Sequence, residues 1–148
     1  MSDTGSLRAI YLRPSSRTPV KSVERVEAEA GTGLVGDHAG AGKRQITLLG
    51  REGWEAACAE LGQTLDPGVR RANLLVEGVD LGASIGKQLF VGGVRIEVVG
   101  ETKPCQLMDD MALGLHDALR PECRGGVYGK VLEGGPLEPG MPVRVVEA

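Results

Sequence analysis

Glycine and proline interrupt this chain almost everywhere, with 23 glycines and 8 prolines spread along 148 residues rather than clustered. Such punctuation leaves little room for long helices and favours short elements joined by tight turns, as in β-rich folds. The intervening segments agree. "LRAIYL" (Leu7–Leu12), "VKSVERVEAE", "QITLLG", "ANLLVEG", "KQLFVGG", "VRIEVVG", "VYGKVLEGG" and "MPVRVVEA" all read as strands. In the sixth of these, Val94, Ile96 and Val98 share one face while Arg95 and Glu97 take the other. "REGWEAACAELG" breaks the pattern. Trp54, Ala57, Cys58 and Leu61 fall at i, i+3, i+4 and i+7, which predicts a helix with one apolar stripe, stopped by Gly62. Met111, Leu115 and Leu119 repeat at i+4 and predict a second short helix before Pro121. The expectation is one mainly β domain over residues 1–148: a closed or partly open barrel of seven or eight strands with two or three short helices. No βαβ rhythm is visible, and closure is the economical way to protect many short edges.

Charge and composition narrow the function. A formal charge of -3 and aromatics at 3% argue against a general nucleic-acid binder and against a stacking platform for single strands. No apolar run approaches the roughly 18 residues that cross a bilayer. The N-terminus lacks a basic segment followed by an apolar one, so a secretory signal is not expected. Three cysteines, an odd number without CxxC spacing, suit reduced thiols in a cytoplasm better than a disulfide framework or a zinc site.

Cys105 stands out among the three, in "ETKPCQLMDD". An ordinary thiol is only about 3% ionised at neutral pH, and lowering its pKa to about 7 makes roughly half of it thiolate. Lys103 is the sequence-adjacent cation that could supply the shift, and in an extended segment it projects to the same face as Cys105. A structural role, plugging a barrel end, is the alternative. Cys58 sits on the apolar helix face and reads as buried, whereas Cys123 is either an incidental loop cysteine or a resolving partner for Cys105. Two further clusters are candidates for anion binding. The glycine-rich stretch "AGTGLVGDHAGAGKR" can bring backbone N–H groups close to an anion, with Lys43 and Arg44 adding charge. It lacks the GxxxxGK[ST] pattern of a P-loop. Asp37 and His38 are candidate general bases or metal ligands, or else loop-bridging groups. Arg70 and Arg71, just ahead of a strand, offer guanidinium forks for phosphate or carboxylate, or are a solvated pair.

The order "GLVGDHAG…KRQITLL", "PGVRRANLLVEGVDL", "IGKQLFVGGVRIEVVGETKPC", "RGGVYGKVLEGGPLEPGMPV" resembles the MOSC domain family, named for the C-terminal domain of molybdenum cofactor sulfurase. The resemblance runs from about Gly31 to Val145. It implies a MOSC-type β-barrel that binds the molybdenum cofactor (molybdopterin) or handles its sulfur. By that correspondence Cys105 carries sulfur as a persulfide or ligates molybdenum, with Lys103 beside it. The family's glycine-rich GD and R-Q segments fall on Gly36, Asp37, His38, Arg44 and Gln45. Its N-L segment falls on Asn73 and Leu74, and its R-G-x-Y segment falls on Arg124, Gly126 and Tyr128. Lys43, Arg70 and Arg71 would help to hold the cofactor's phosphate at a positively charged barrel mouth. The chain has no iron–sulfur or flavin motif, so a reductase of this kind needs an electron-donor protein, and a sulfur carrier needs a sulfur donor. No room is expected for the pyridoxal-phosphate desulfurase domain of full cofactor sulfurases. A sulfur carrier, a small molybdenum-dependent reductase module, and a non-catalytic anion- or thiol-sensing barrel all remain compatible with the residues.

Overall fold

The computed structural model describes residues 4–15, 19–38, 42, 44–103, 108–109 and 112–147. Eleven strands are present among them: β1 (Thr4–Leu12), β2 (Lys21–Val23), β3 (Val26–Glu29), β4 (Gly33–Leu34), β5 (Ile46–Gly50), β6 (Leu74–Glu77), β7 (Gln88–Val91), β8 (Val94–Glu101), β9 (Val127–Glu133), β10 (Gly135–Leu137) and β11 (Pro142–Val146). Three helices accompany them, α1 (Arg51–Leu61), α2 (Leu81–Ser84) and α3 (Leu115–Ala118). Two short 3-10 turns cover Pro67–Arg70 and Pro121–Cys123.

The barrel closes. Strands run β11-β7-β8-β9-β5-β6-β1 in space, and β11 pairs again with β1, Thr4 opposite Arg144, so the ladder has no free edge there. β2 hangs on the far end of β1, and a separate small sheet runs β10-β3-β4. The strand number exceeds the seven or eight expected because several pieces are only two to four residues long. The stretch "VKSVERVEAE" is two strands in two sheets. Its first half, β2, is largely exposed, whereas Val26 and Ala28 of β3 are buried, and the chain changes sheet at Glu24–Arg25.

One βαβ unit is present, contrary to the sequence expectation. β5 and β6 pair in parallel, Leu48 opposite Leu74, with α1 crossing between them. The reason lies in the alternation along β5. Ile46 and Leu48 point into the barrel, while Leu49 points out to Trp54, Ala57 and Cys58 of α1. Outward apolar residues on β5 and β6 thus require a cover, and α1 with α3 supplies it. The domain therefore has two cores: an aliphatic one filling the barrel and a second one between the sheet and the helices. Gly62, left-handed at φ 66°, ends α1 as expected, its N–H reaching the Ala59 carbonyl. No helix among the described residues is long and apolar enough to cross a membrane.

A polar knot ties three barrel strands together. Asn73, fully buried, accepts from the Thr47 backbone N–H (3.0 Å) and the Thr47 hydroxyl (3.2 Å), and donates to the Tyr11 carbonyl (3.2 Å). Truncating it would strand several buried donors and acceptors. Asn73→Ala is expected to lower stability by about 3 kcal/mol in urea unfolding, and a loss below about 1 kcal/mol would show that the knot is dispensable.

Candidate functional site

Four arginines from three separate parts of the chain converge on one cleft of about 180 Å³. Arg13 follows β1, Arg44 precedes β5, and Arg70 and Arg71 precede β6. Thr47, Leu48, Ala72, Thr102, Met108 and Gly125 complete the described lining, which contains no Asp or Glu. Thr47 sits on the outward side of β5, Leu48 belongs to the barrel core and Met108 to the helix-side core, and the arginines stand at the adjacent ends of β1, β5 and β6, so the cleft lies at one end of the barrel. Close-packed aliphatic side chains such as Leu7, Ile10, Leu89 and Val143 fill the barrel interior.

Each guanidinium is held in its own way. Arg13 is clamped by Asp37, whose side chain is wholly inaccessible: Nη2 to Oδ2 is 2.9 Å, and the Arg13 backbone N–H also donates to Oδ1 at 2.7 Å. Gly36 makes this possible. It adopts φ 89°, a left-handed conformation open to glycine, and turns Asp37 back toward the end of β1. Arg70 donates through Nε to the Gly125 carbonyl (3.0 Å) and through Nη2 to the Thr102 carbonyl (2.9 Å). Arg71 is itself left-handed at φ 65°, unusual for a non-glycine, and its Nη2 reaches the Ser15 carbonyl at 2.8 Å. Arg44 lies over the Tyr128 ring, 5.4 Å from the centroid. The described partners of Arg44, Arg70 and Arg71 are thus an aromatic face and backbone carbonyls, which orient a guanidinium without cancelling its charge.

The remaining sequence candidates distribute unevenly. Asn73 borders this region but its side chain bonds to Thr47, Tyr11 and, at 3.4 Å, Arg13, so it braces the wall from within. Gln45 is buried and ties Val131 N–H to the loop through Oε1 at 3.1 Å. His38 is exposed, its backbone N–H donating to the Arg13 carbonyl at 2.7 Å. Lys103 is also exposed and lies with Glu101, His116 and Arg120 around a neighbouring pocket. Arg124 is drawn away altogether. It pairs with Glu60 of α1 and donates to the Ala118 carbonyl at 3.0 Å, joining the helices rather than the cleft. Gly126 serves the wall indirectly. A Cβ there would meet the Leu48 carbonyl at 2.2 Å, so glycine lets β9 start against β5 and present its carbonyl to Thr102 N–H at 2.9 Å. Lys43 and Cys105 lie outside the described residues.

Cys58 is buried in the helix-side core. Cys123 is partly buried beside α2, and its thiol is pushed up, first by burial and then by the carboxylates of Glu101 and Asp80. A raised thiol is a poor nucleophile, and this one sits in acidic surroundings. Reasoning from sequence missed Arg13 and Thr102. Thr102 lay within the quoted "TKPC" and could have been weighed. Arg13, in a polar turn, carries no local signal, because its partner Asp37 is 24 positions away.

A closed β-barrel with an arginine cleft at one end is thus the class of protein defined by fold and site. The MOSC domain profile matches residues 35–144, and the chain belongs to the MOSC domain family. Among solved structures, the YuaD protein from Bacillus subtilis superposes with a TM-score of 0.79 at 19% identity, covering 98% of this chain and 97% of that one. YiiM from Geobacillus stearothermophilus gives 0.76 at 19% identity, covering 95% and 75%, and YiiM from Escherichia coli gives 0.72 at 16%, covering 97% and 70%. At such identities these likenesses show the fold alone. A comparison with curated protein sequences found no match.

Two outcomes follow from the geometry. Asp37→Asn removes the carboxylate from a buried pair and is expected to cost about 3 kcal/mol in chemical denaturation, since Arg13 is left without its counter-charge. A change under about 1 kcal/mol would contradict the clamp. Alkylation of Cys123 should require higher pH than a free thiol does, because the thiolate is disfavoured. Glu101→Gln should move that profile to lower pH, and a profile matching a free thiol in the parent protein would refute it.

Proposed function

We propose that this MOSC-family protein binds the molybdenum cofactor by seating its phosphate in the arginine cleft, and that Cys105 handles the sulfur or the molybdenum. The observation that carries this is the convergence of Arg13, Arg44, Arg70 and Arg71 on a cleft with no acidic residue in its described lining. A phosphate group matches guanidinium forks in charge and in geometry. Thr102 and Met108 both line the cleft, and Cys105 lies three residues from each. A soft thiolate suits a thiophilic metal or a transferable sulfane sulfur.

When bound, the cofactor would supply a molybdenum centre for two-electron chemistry. The chain's own part is to hold the anion with Arg44, Arg70 and Arg71, to fix Arg13 through Asp37, and to offer the Cys105 thiol. Tyr128, under Arg44, would hold that guanidinium in place. Lys103 and His38, both exposed, would meet the guest only at its rim. A protein supplying electrons or sulfur is the partner such a module would require, and a cytoplasmic setting suits its thiol chemistry. The alternative is a non-catalytic anion-binding barrel. It is favoured by the fact that the four arginines are oriented by described groups such as Asp37, Gly125, Ser15 and Tyr128, none of which depends on Cys105.

Metal analysis separates the two. Protein expressed with molybdate is expected to carry the cofactor and its molybdenum, Cys105→Ala to lose the metal while keeping phosphate affinity, and Arg44→Ala to lose about tenfold in phosphate affinity. A metal-free parent protein that also ignores added cofactor, yet binds phosphate, would leave the anion-binding barrel standing and remove the cofactor reading.

A further inference from the structure

Thr102 occupies the wall of the arginine cleft with one polar atom unused. The residue is only 9% exposed. Its backbone N–H donates to the Gly126 carbonyl at 2.9 Å and its own carbonyl accepts from Arg70 Nη2 at 2.9 Å, so its main chain is committed to the wall. The hydroxyl, by contrast, is buried and has no hydrogen-bond partner among the described residues. Buried polar groups are nearly always paired, and one that is not calls for an explanation. Valine has the same shape and would fill the position without the penalty of a desolvated, idle hydroxyl. Thr102 lines the same cleft as the four arginines, where an anion would bring its hydroxyl a partner.

We propose that the Thr102 hydroxyl donates a hydrogen bond to the bound anion and makes the cleft selective for a phosphate monoester over a carboxylate. Arginine forks match carboxylate and phosphate alike, so they do not discriminate strongly between them. A carboxylate has two oxygens, both of which an arginine fork can occupy. A phosphate monoester has three terminal oxygens, and the hydroxyl of Thr102, the residue after β8, supplies a donor for the third. The inference rests on the cleft being the phosphate site of the proposed function, but it concerns the phosphate group itself, whichever organic group bears it.

The test uses phenyl phosphate and benzoate, two anions on the same ring, titrated calorimetrically against the full chain and against Thr102→Val and Thr102→Ser. Parent protein should prefer phenyl phosphate. Thr102→Val should lose about tenfold for phenyl phosphate and less than about twofold for benzoate, whereas Thr102→Ser should stay within about threefold of the parent. Free Thr102→Val should melt no lower than the parent, because no hydrogen bond has been removed from the empty protein. The proposal is overturned if the parent shows no preference for phenyl phosphate, if valine leaves phosphate binding unchanged, if valine weakens both anions equally, if serine fails to retain affinity, or if valine lowers the melting temperature by several degrees. Cofactor uptake by the same variants is read separately. Normal uptake by Thr102→Val, with phosphate binding also unchanged, sinks this inference and spares the proposed function. Thr102-dependent binding of phenyl phosphate by a protein that never takes up the cofactor does the reverse.

Discussion

Four guanidiniums can share one wall only if something other than carboxylates holds most of them. Here backbone carbonyls do so: Gly125 and Thr102 for Arg70, and Ser15 for Arg71. A carbonyl fixes the direction of an N–H without cancelling the charge behind it. Among the described residues the carboxylate in the arrangement is Asp37, wholly inaccessible and paired with Arg13. Had acidic side chains lined the cleft instead, the same arginines would form a surface ion-pair network with little to offer an anion.

That wall depends on the barrel behind it. Asn73 and Thr47 join β5 to β6 and, through Tyr11, to β1. Those are the strands whose ends carry Arg13, Arg44, Arg70 and Arg71, so the polar knot helps to fix the spacing of the four arginines. The left-handed backbone at Arg71 belongs to the same arrangement. It closes the 3-10 turn, with its N–H on the Gly68 carbonyl at 3.0 Å, and hands the chain to β6. A strained conformation at a non-glycine is tolerated where the surrounding bonds over-determine it.

Much of the fold was legible in the sequence. The glycine spacing, the alternation of Val94, Ile96 and Val98, and the stripe of Trp54, Ala57 and Cys58 each led to an element that the structure contains. The parallel β5–β6 pair was hidden, because periodicity shows which face is apolar but not which strand lies beside it. The "VKSVERVEAE" stretch was misread for a related reason: two short strands in register with different neighbours look like one long one. The cleft was half legible. Arg44, Arg70 and Arg71 stood next to strand starts, and the resemblance of their segments to the MOSC family drew them together. Arg13 and Thr102 became visible only in three dimensions, and Arg124, which the motif had placed with the cofactor, turns toward Glu60 of the helix layer. Pairings across 24 or 64 positions are not written in local spacing.

The arginine cleft as an oxyanion site is the claim most directly open to measurement. Crystals grown with tungstate would locate a tetrahedral dianion by the anomalous scattering of tungsten. The account predicts a peak in the cleft, with anion oxygens in hydrogen-bonding distance of the Arg44 and Arg71 guanidiniums and of the Thr102 hydroxyl. Peaks confined to other surface cations, with the cleft empty at saturating tungstate, would contradict it.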